Sequence, residues 1–210
     1  MRNLETEFKW DASAPYAFFR MLTAVKKTCN KEQISEKKQL RITDVYLDHP
    51  DQQFEKEQLA FRIRHYQDTW EATFKTRTQL VHGKAVRQEE TLPLPNVHSF
   101  RQAVSFLNQK KSWKKLPLVG LQPLFTICNK RIIRQVLSAE FEAELSFDNC
   151  IISTQNKKVF FKEIELELKS GRMDAFEKFA RNISALSELK HTTASKVKTA
   201  VNLLRGKHSA

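Results

Sequence analysis

The stretch Leu4–Trp10 reads LETEFKW, and its two interleaved halves differ in kind. Glu5, Glu7 and Lys9 fall on one side, Leu4, Thr6, Phe8 and Trp10 on the other. In an extended strand, residues two apart share a face, so this stretch must set an ionic surface against an apolar one. The pattern recurs along the chain. Arg62 and Arg64 oppose Phe61 and Ile63, and Glu71, Thr73, Lys75 and Arg77 oppose Trp70, Ala72 and Phe74. Arg87 falls with Glu89, and Glu140, Glu142, Glu144 and Asp148 oppose Phe141, Ala143, Leu145 and Phe147. Glu163, Glu165, Glu167 and Lys169 oppose Ile164, Leu166 and Leu168. Strands are accordingly expected over 4–10, 43–48, 59–66, 69–77, 85–94, 124–136, 139–148 and 158–169.

Helical spacing appears between them. Ser13 and Pro15 supply a cap and first turn for a helix carrying Phe18, Leu22, Val25 and Cys29. A second helix is expected near 98–111. A third follows Gly171 with Phe176, Phe179, Ile183 and Leu186, and a short last one starts near Ser195 with Val197, Val201 and Leu204. With 210 residues, residues 1–205 are expected to form one domain and 206–210 a frayed tail.

An antiparallel sheet with one face on helices and one in water would satisfy any single strand. Eight such strands with dense runs of both charge signs are also enough to close a barrel. If the apolar sides faced outward under amphipathic helices, the interior would be a polar tunnel. Ionised groups crowded into a cavity need partners or a ligand. A polyphosphate carrying a divalent metal would provide both, because Arg and Lys neutralise phosphate oxygens while carboxylates hold Mg²⁺.

Composition narrows the alternatives. The formal net charge of +12 favours an anionic partner. The patterns GxGxxG and GxxxxGK[ST] are absent, which removes the Gly-rich nucleotide loops. Three cysteines, Cys29, Cys128 and Cys150, show no CxxC spacing, and the six histidines form no ligand motif. No apolar run is long enough to cross a bilayer and the first residues lack a signal-peptide core, so a cytoplasmic protein without a membrane partner is expected.

The motif ETEFK (Glu5, Glu7, Lys9) resembles the ExExK signature of the CYTH superfamily, the triphosphate tunnel metalloenzymes. The order of later blocks strengthens the likeness: VYLDHP, LAFRIR, the Thr-x-Lys of TFK, RQE, KRIIR, AELSFD, EIELELKSG, and SK before the last helix. Together they run from Glu5 to Lys196. The resemblance implies an α+β fold, an eight-stranded antiparallel closed β-barrel with helices packed outside. It also implies a metal set of Glu5, Glu7, Glu89, Glu144, Asp148, Glu163 and Glu165, a phosphate set of Lys9, Arg62, Arg64, Lys75, Arg87, Lys130, Arg131 and Lys196, and catalysis by Lys9, Glu5 and Glu7. In KRIIR, Arg131 shares a face with Asn129, while Lys130 and Arg134 share the other. Either the strand bulges or one phosphate ligand is lost.

The implied activity is metal-dependent hydrolysis of a triphosphate with Mg²⁺ or Mn²⁺. Inorganic tripolyphosphate is the leading substrate because no apolar shelf for an organic group is recognisable. Thiamine triphosphatase and class IV adenylyl cyclase are the alternatives within the family. A non-catalytic polyphosphate or nucleic-acid binding module is the alternative outside it, resting on the net charge and the basic cluster 110–115. A small-molecule triphosphate is the expected partner and nucleic acid is not, while monomer and homodimer both remain open.

Overall fold

The structure, a computed structural model, describes residues 3–29, 33–77, 79–81, 84–110, 112–113, 116–192 and 194–206. Its elements in chain order are β1 (Asn3–Asp11), α1 (Ala17–Thr28), β2 (Lys38–Asp48), α2 (Gln53–Lys56), β3 (Ala60–Tyr66), β4 (Thr69–Lys75), β5 (Gln79–Val81) and β6 (Lys84–Pro93), then α3 (Phe100–Lys110), β7 (Ser112–Trp113), β8 (Leu116–Pro117), β9 (Gln122–Leu137), β10 (Phe141–Ser153), β11 (Lys158–Gly171), α4 (Met173–Ser187) and α5 (Lys196–Leu204). Among them no helix is long and apolar enough to cross a membrane.

Eight strands close on themselves in the order β1-β11-β10-β9-β2-β3-β4-β6, with β6 pairing back to β1. Every neighbouring pair is antiparallel. β1 is the closing stave: Glu7 lies opposite Glu167 on one side and Ala85 on the other. Short β5 runs beside the start of β6. The eight-stranded antiparallel barrel expected from the alternation is therefore present, and its charged faces point inward.

The outward faces explain where the helices sit. α1 and α4 cover β1, β10 and β11, burying Phe8, Trp10, Met21, Val25, Ile164, Leu166, Phe176 and Ile183 in one core. α3 covers β3 and β4, with Phe61, Ile63 and Ala72 against Ala103 and Leu107. Each large side chain fully removed from water contributes ~1.5–3 kcal/mol.

Four local expectations are revised. α1 starts at Ala17 after Tyr16 in the left-handed region, and Ser13 bonds Asp11 instead of capping it. Leu186 of α4 stays exposed, while Ala180, Ile183 and Ser187 face the core. β2 begins at Lys38, because Lys38–Thr43 pair with residues 128–133 of β9. Finally, α5 is no outer cover. Tyr46, Phe125, Ile127, Cys150 and Ile152 point into the barrel at one end, and Ala200 packs on them with Val197 and Val201 alongside. Thus α5 stoppers that end, capped by the Ser195 hydroxyl, which accepts from the Lys198 amide at 3.2 Å.

Candidate functional site

A cavity of ≈ 1710 Å³ runs inside the barrel, walled by ionic side chains of the strands and by the first turns of α5. Three β1 residues open the account. Glu5 accepts from Nε of Arg87 at 2.5 Å and lies 3.6 Å from the Lys75 ammonium, while Glu7 lies 3.2 Å from both Arg87 and Lys9. Lys9 in turn donates to Glu165 at 2.5 Å. The register makes this possible, because Glu5 pairs with Arg87 on β6 and Lys9 with Glu165 on β11.

On the β2–β6 wall, Lys75 pairs with Glu89. Asp44, absent from the sequence-derived set, accepts two parallel hydrogen bonds from Arg64 at 2.7 and 2.8 Å and lies 3.5 Å from Arg62. Such fork-shaped pairing fixes a guanidinium in plane. The signal was in the chain, since Asp44 alternates with Tyr46 and sits opposite Arg64. Asp48, two steps further, is structural: its carboxylate accepts from the amides of His49, Phe54 and Glu55 and secures α2.

On the β9–β11 wall, Asp148, Glu163 and Glu165 bring carboxylate oxygens within 4.8 Å of one another, all buried. The Lys196 ammonium stands among them, 2.8 Å from Asp148, 2.7 Å from Glu165 and paired with Glu163. Arg131 forks onto Asp148 at 2.7 and 2.6 Å and reaches Glu165 at 2.7 Å. Glu144 lines the cavity 3.8 Å from Arg131, outside that triad.

The structure therefore brings Glu5, Glu7, Lys9, Arg62, Arg64, Lys75, Arg87, Glu89, Arg131, Glu144, Asp148, Glu163, Glu165 and Lys196 to one interior. Lys130 is the exception. The register of β9 runs unbroken from Thr126 to Leu137 along β10, so no bulge turns it inward, and it lies exposed on the outer surface. One basic residue of KRIIR enters the barrel, and it is Arg131. In the basic cluster 110–115, residues 111, 114 and 115 lie outside the described residues.

Burial decides the electrostatics. Charges removed from water are costly unless paired, and here acids and bases neutralise one another across the cavity. Burial and the neighbouring Glu165 and Asp148 push Glu163 up to about 7 against the pull of Lys196. Burial and the adjacent Arg62 and Arg87 bring Lys75 down to about 8. Burial opposes the charge of Glu165, but Lys196, Lys9 and Arg131 hold it well below the usual carboxylate range. Among the described residues, the buried Oε1 atoms of Glu7 and Glu163 and Nε of Arg62 lack a hydrogen-bond partner despite their ion pairs. The two carboxylate oxygens meet only ammonium or guanidinium ions, which a guest cation would have to displace.

Oxygen-only donors on a buried acidic triad suit a hard divalent cation, and an ammonium already occupies that position. The facing bases suit an anion with several oxygens. The chemistry open to this interior is an exchange of partners: a bound cation replaces ammonium and guanidinium on the carboxylates, and phosphoryl oxygens replace carboxylates on the bases.

Comparison with known proteins agrees with this geometry. The CYTH domain family model matches residues 3–201. An inorganic triphosphatase of Haemophilus influenzae is 29% identical over 165 residues, covering 79% of this chain and 46% of that protein. The chain thus spans about half the length of that relative. Among solved structures, a Hippeastrum protein described as an adenylyl cyclase with a dominant triphosphatase activity superposes with a TM-score of 0.65 at 15% identity, over 98% of this chain and 97% of that one. The capping-enzyme triphosphatase of Mimivirus gives 0.55 at 14% identity, over 89% and 90%.

Proposed function

Because the chain belongs to the CYTH domain family, we propose that it hydrolyses the terminal phosphoanhydride of a triphosphate inside the barrel, with inorganic tripolyphosphate as substrate. The observation that carries this reading is the pair of facing walls: buried bases around Arg62, Lys75 and Arg87, and a buried acidic triad wrapped around the Lys196 ammonium. The homologous inorganic triphosphatase supports the choice of reaction.

In this reading Arg62, Arg64, Lys75, Arg87 and Arg131 grip the phosphate oxygens. Phosphoryl transfer asks mainly for positioning and charge neutralisation, so prearranged cations are the main protein contribution. Asp44 keeps the two β3 guanidinium planes aimed into the cavity. Lys9 holds Glu7 and Glu165 at fixed separation, and Glu5, Glu7, Asp148, Glu163 and Glu165 would hold Mg²⁺ or Mn²⁺. When bound, the ion neutralises phosphate oxygens and lowers the pKa of a bound water. With α5 stoppering one end, substrate enters by the opposite mouth and Lys196 meets its leading phosphate.

One observation favours an organic triphosphate as a second reading. Leu40, Tyr66 and Ile133 line the same cavity as Arg64 and Arg131, an apolar flank able to seat a base or a thiazolium ring. Phosphate release from tripolyphosphate, thiamine triphosphate and ATP with Mg²⁺ or Mn²⁺, with a parallel test for cyclic AMP, separates the two. Glu7→Gln is expected to abolish turnover with an unchanged far-UV CD spectrum; a folded, fully active Glu7→Gln protein would refute the role of these carboxylates.

A further inference from the structure

Among the described residues, acids match bases inside the barrel, so their excess of cations lies outside it. Part of it is concentrated where no helix covers the sheet. Cross-strand register sets Arg41, Lys130, Asn149 and Lys162 in one row over β2, β9, β10 and β11. The next row is Thr43, Cys128, Ile151 and Phe160, and the following one ends at Lys158. The outward positions of these rows hold no carboxylate. Phe160 is 67% exposed, and Arg41, Lys130, Lys158 and Lys162 are exposed with no carboxylate partner among the described residues. A shallow concavity of ≈ 390 Å³ lies between the basic row and Phe160.

Arg41 and Lys130 are direct register partners, and like charges facing each other across strands destabilise a sheet. An anion between them reverses that sign. β9 and β10, the middle strands of the face, are paired along both edges, so a peptide cannot add there as a further strand. What remains is recognition by the face itself: cations spaced along a row beside an upturned aromatic ring, the combination that tracks a phosphate backbone and stacks a base. A membrane would need more than one exposed aromatic amid Asn149 and Thr43.

We propose that this outer face binds single-stranded nucleic acid, with successive phosphates on Arg41, Lys130 and Lys162 and a base stacked on Phe160. This site is separate from the barrel interior and independent of the reaction proposed there.

Fluorescence anisotropy with fluorescein-labelled U12 and dT12 tests it. Three phosphate contacts give a slope of log K against log salt near about −2, at ~0.7 per contact on a single strand. Arg41→Ser/Lys162→Ser is expected to flatten that slope by about 1.4, and Phe160→Ala to weaken binding about tenfold without altering it. Lys26→Ser/Lys27→Ser, at the end of α1, is expected to leave affinity unchanged. Far-UV CD checks that each variant is folded. The proposal is overturned by no measurable binding at low salt, by affinity that survives both face variants, or by loss in the Lys26/Lys27 variant of the same size. Equal affinity for a poly-glutamate 12-mer, or tighter Phe160-dependent binding to phosphatidylserine vesicles, overturns it as well.

Discussion

Replacing Lys196 by methionine keeps the aliphatic stem of the side chain and its place on α5 while deleting the ammonium. In the native protein that ammonium touches Asp148, Glu163 and Glu165. Arg131 still compensates Asp148 and Glu165 after the change, and Lys9 still reaches Glu165; Glu163 is left with no ion pair among the described residues. Breaking a buried pair by removing one partner costs ~3–5 kcal/mol. For a chain of this size a kilocalorie moves the melting point by about 2–4 °C, so metal-free Lys196→Met should melt about 6–20 °C below the native protein. A divalent cation can take the vacated position and should restore about 2.7 kcal/mol at a hundredfold excess over its dissociation constant. In the native protein the same ion must first displace the ammonium, so its melting point should rise less. Differential scanning calorimetry with EDTA, Mg²⁺ and Mn²⁺ measures all of these. A metal-free loss below 2 °C, or equal metal-induced shifts in both proteins, would refute the picture of Lys196 as a resident cation.

Other outcomes follow from the same interior. Asp44→Asn leaves the Arg62 and Arg64 guanidinium groups without their shared carboxylate; kcat/KM is expected to fall by about ten- to a hundredfold, at ~1.5–3 kcal/mol per charged hydrogen bond lost, and steady-state kinetics with tripolyphosphate will show it. The pH profile of kcat/KM should be a narrow bell, read from initial rates. Glu163 must lose its proton to hold a cation, so activity rises as pH climbs through about 7; Lys75 must keep its proton to hold phosphate, so activity falls as pH passes about 8. Lys75→Arg should move only the alkaline limb upward. Gly171→Ala should destabilise by at least about 1–3 kcal/mol in urea unfolding, because φ is +102° and a Cβ would lie 2.3 Å from the Glu140 carbonyl oxygen.

Alternation made most of this interior legible, because a closed barrel turns period-two patterning directly into an inside and an outside. Glu5, Glu7 and Lys9 could be placed on one wall from seven residues of sequence. Where the outer face is not covered by a helix, the pattern fails: Lys38–Thr43 reads KQLRIT, its outward Gln39, Arg41 and Thr43 need no apolar character, and the first half of β2 escaped notice. Asp44 lies within the expected 43–48 strand on the face of Tyr46, but alternation alone does not say which strand it faces; the register with β3 sets it opposite Arg64. Lys130 and Arg131 could not be separated by spacing alone. Only the unbroken pairing of β9 with β10 decides which of two adjacent cations turns inward. The position of α5 was hidden for a different reason: an amphipathic helix looks the same in sequence whether its apolar face lies on a barrel's side or stoppers its end.

The closing stave has a consequence for biosynthesis. β1 is made before every other strand of the barrel, yet its partners are residues 85–89 and 163–167, so at ~5–20 residues per second it stays unpaired for on the order of ten seconds. Its Phe8 and Trp10 are then without shelter, and the ring cannot shut until nearly all its staves have been made. Such long-range pairing is slow to form, and Glu5, Glu7 and Lys9, which face the cavity in the finished barrel, are charges of the kind that disfavour pairing of an open strand with another chain.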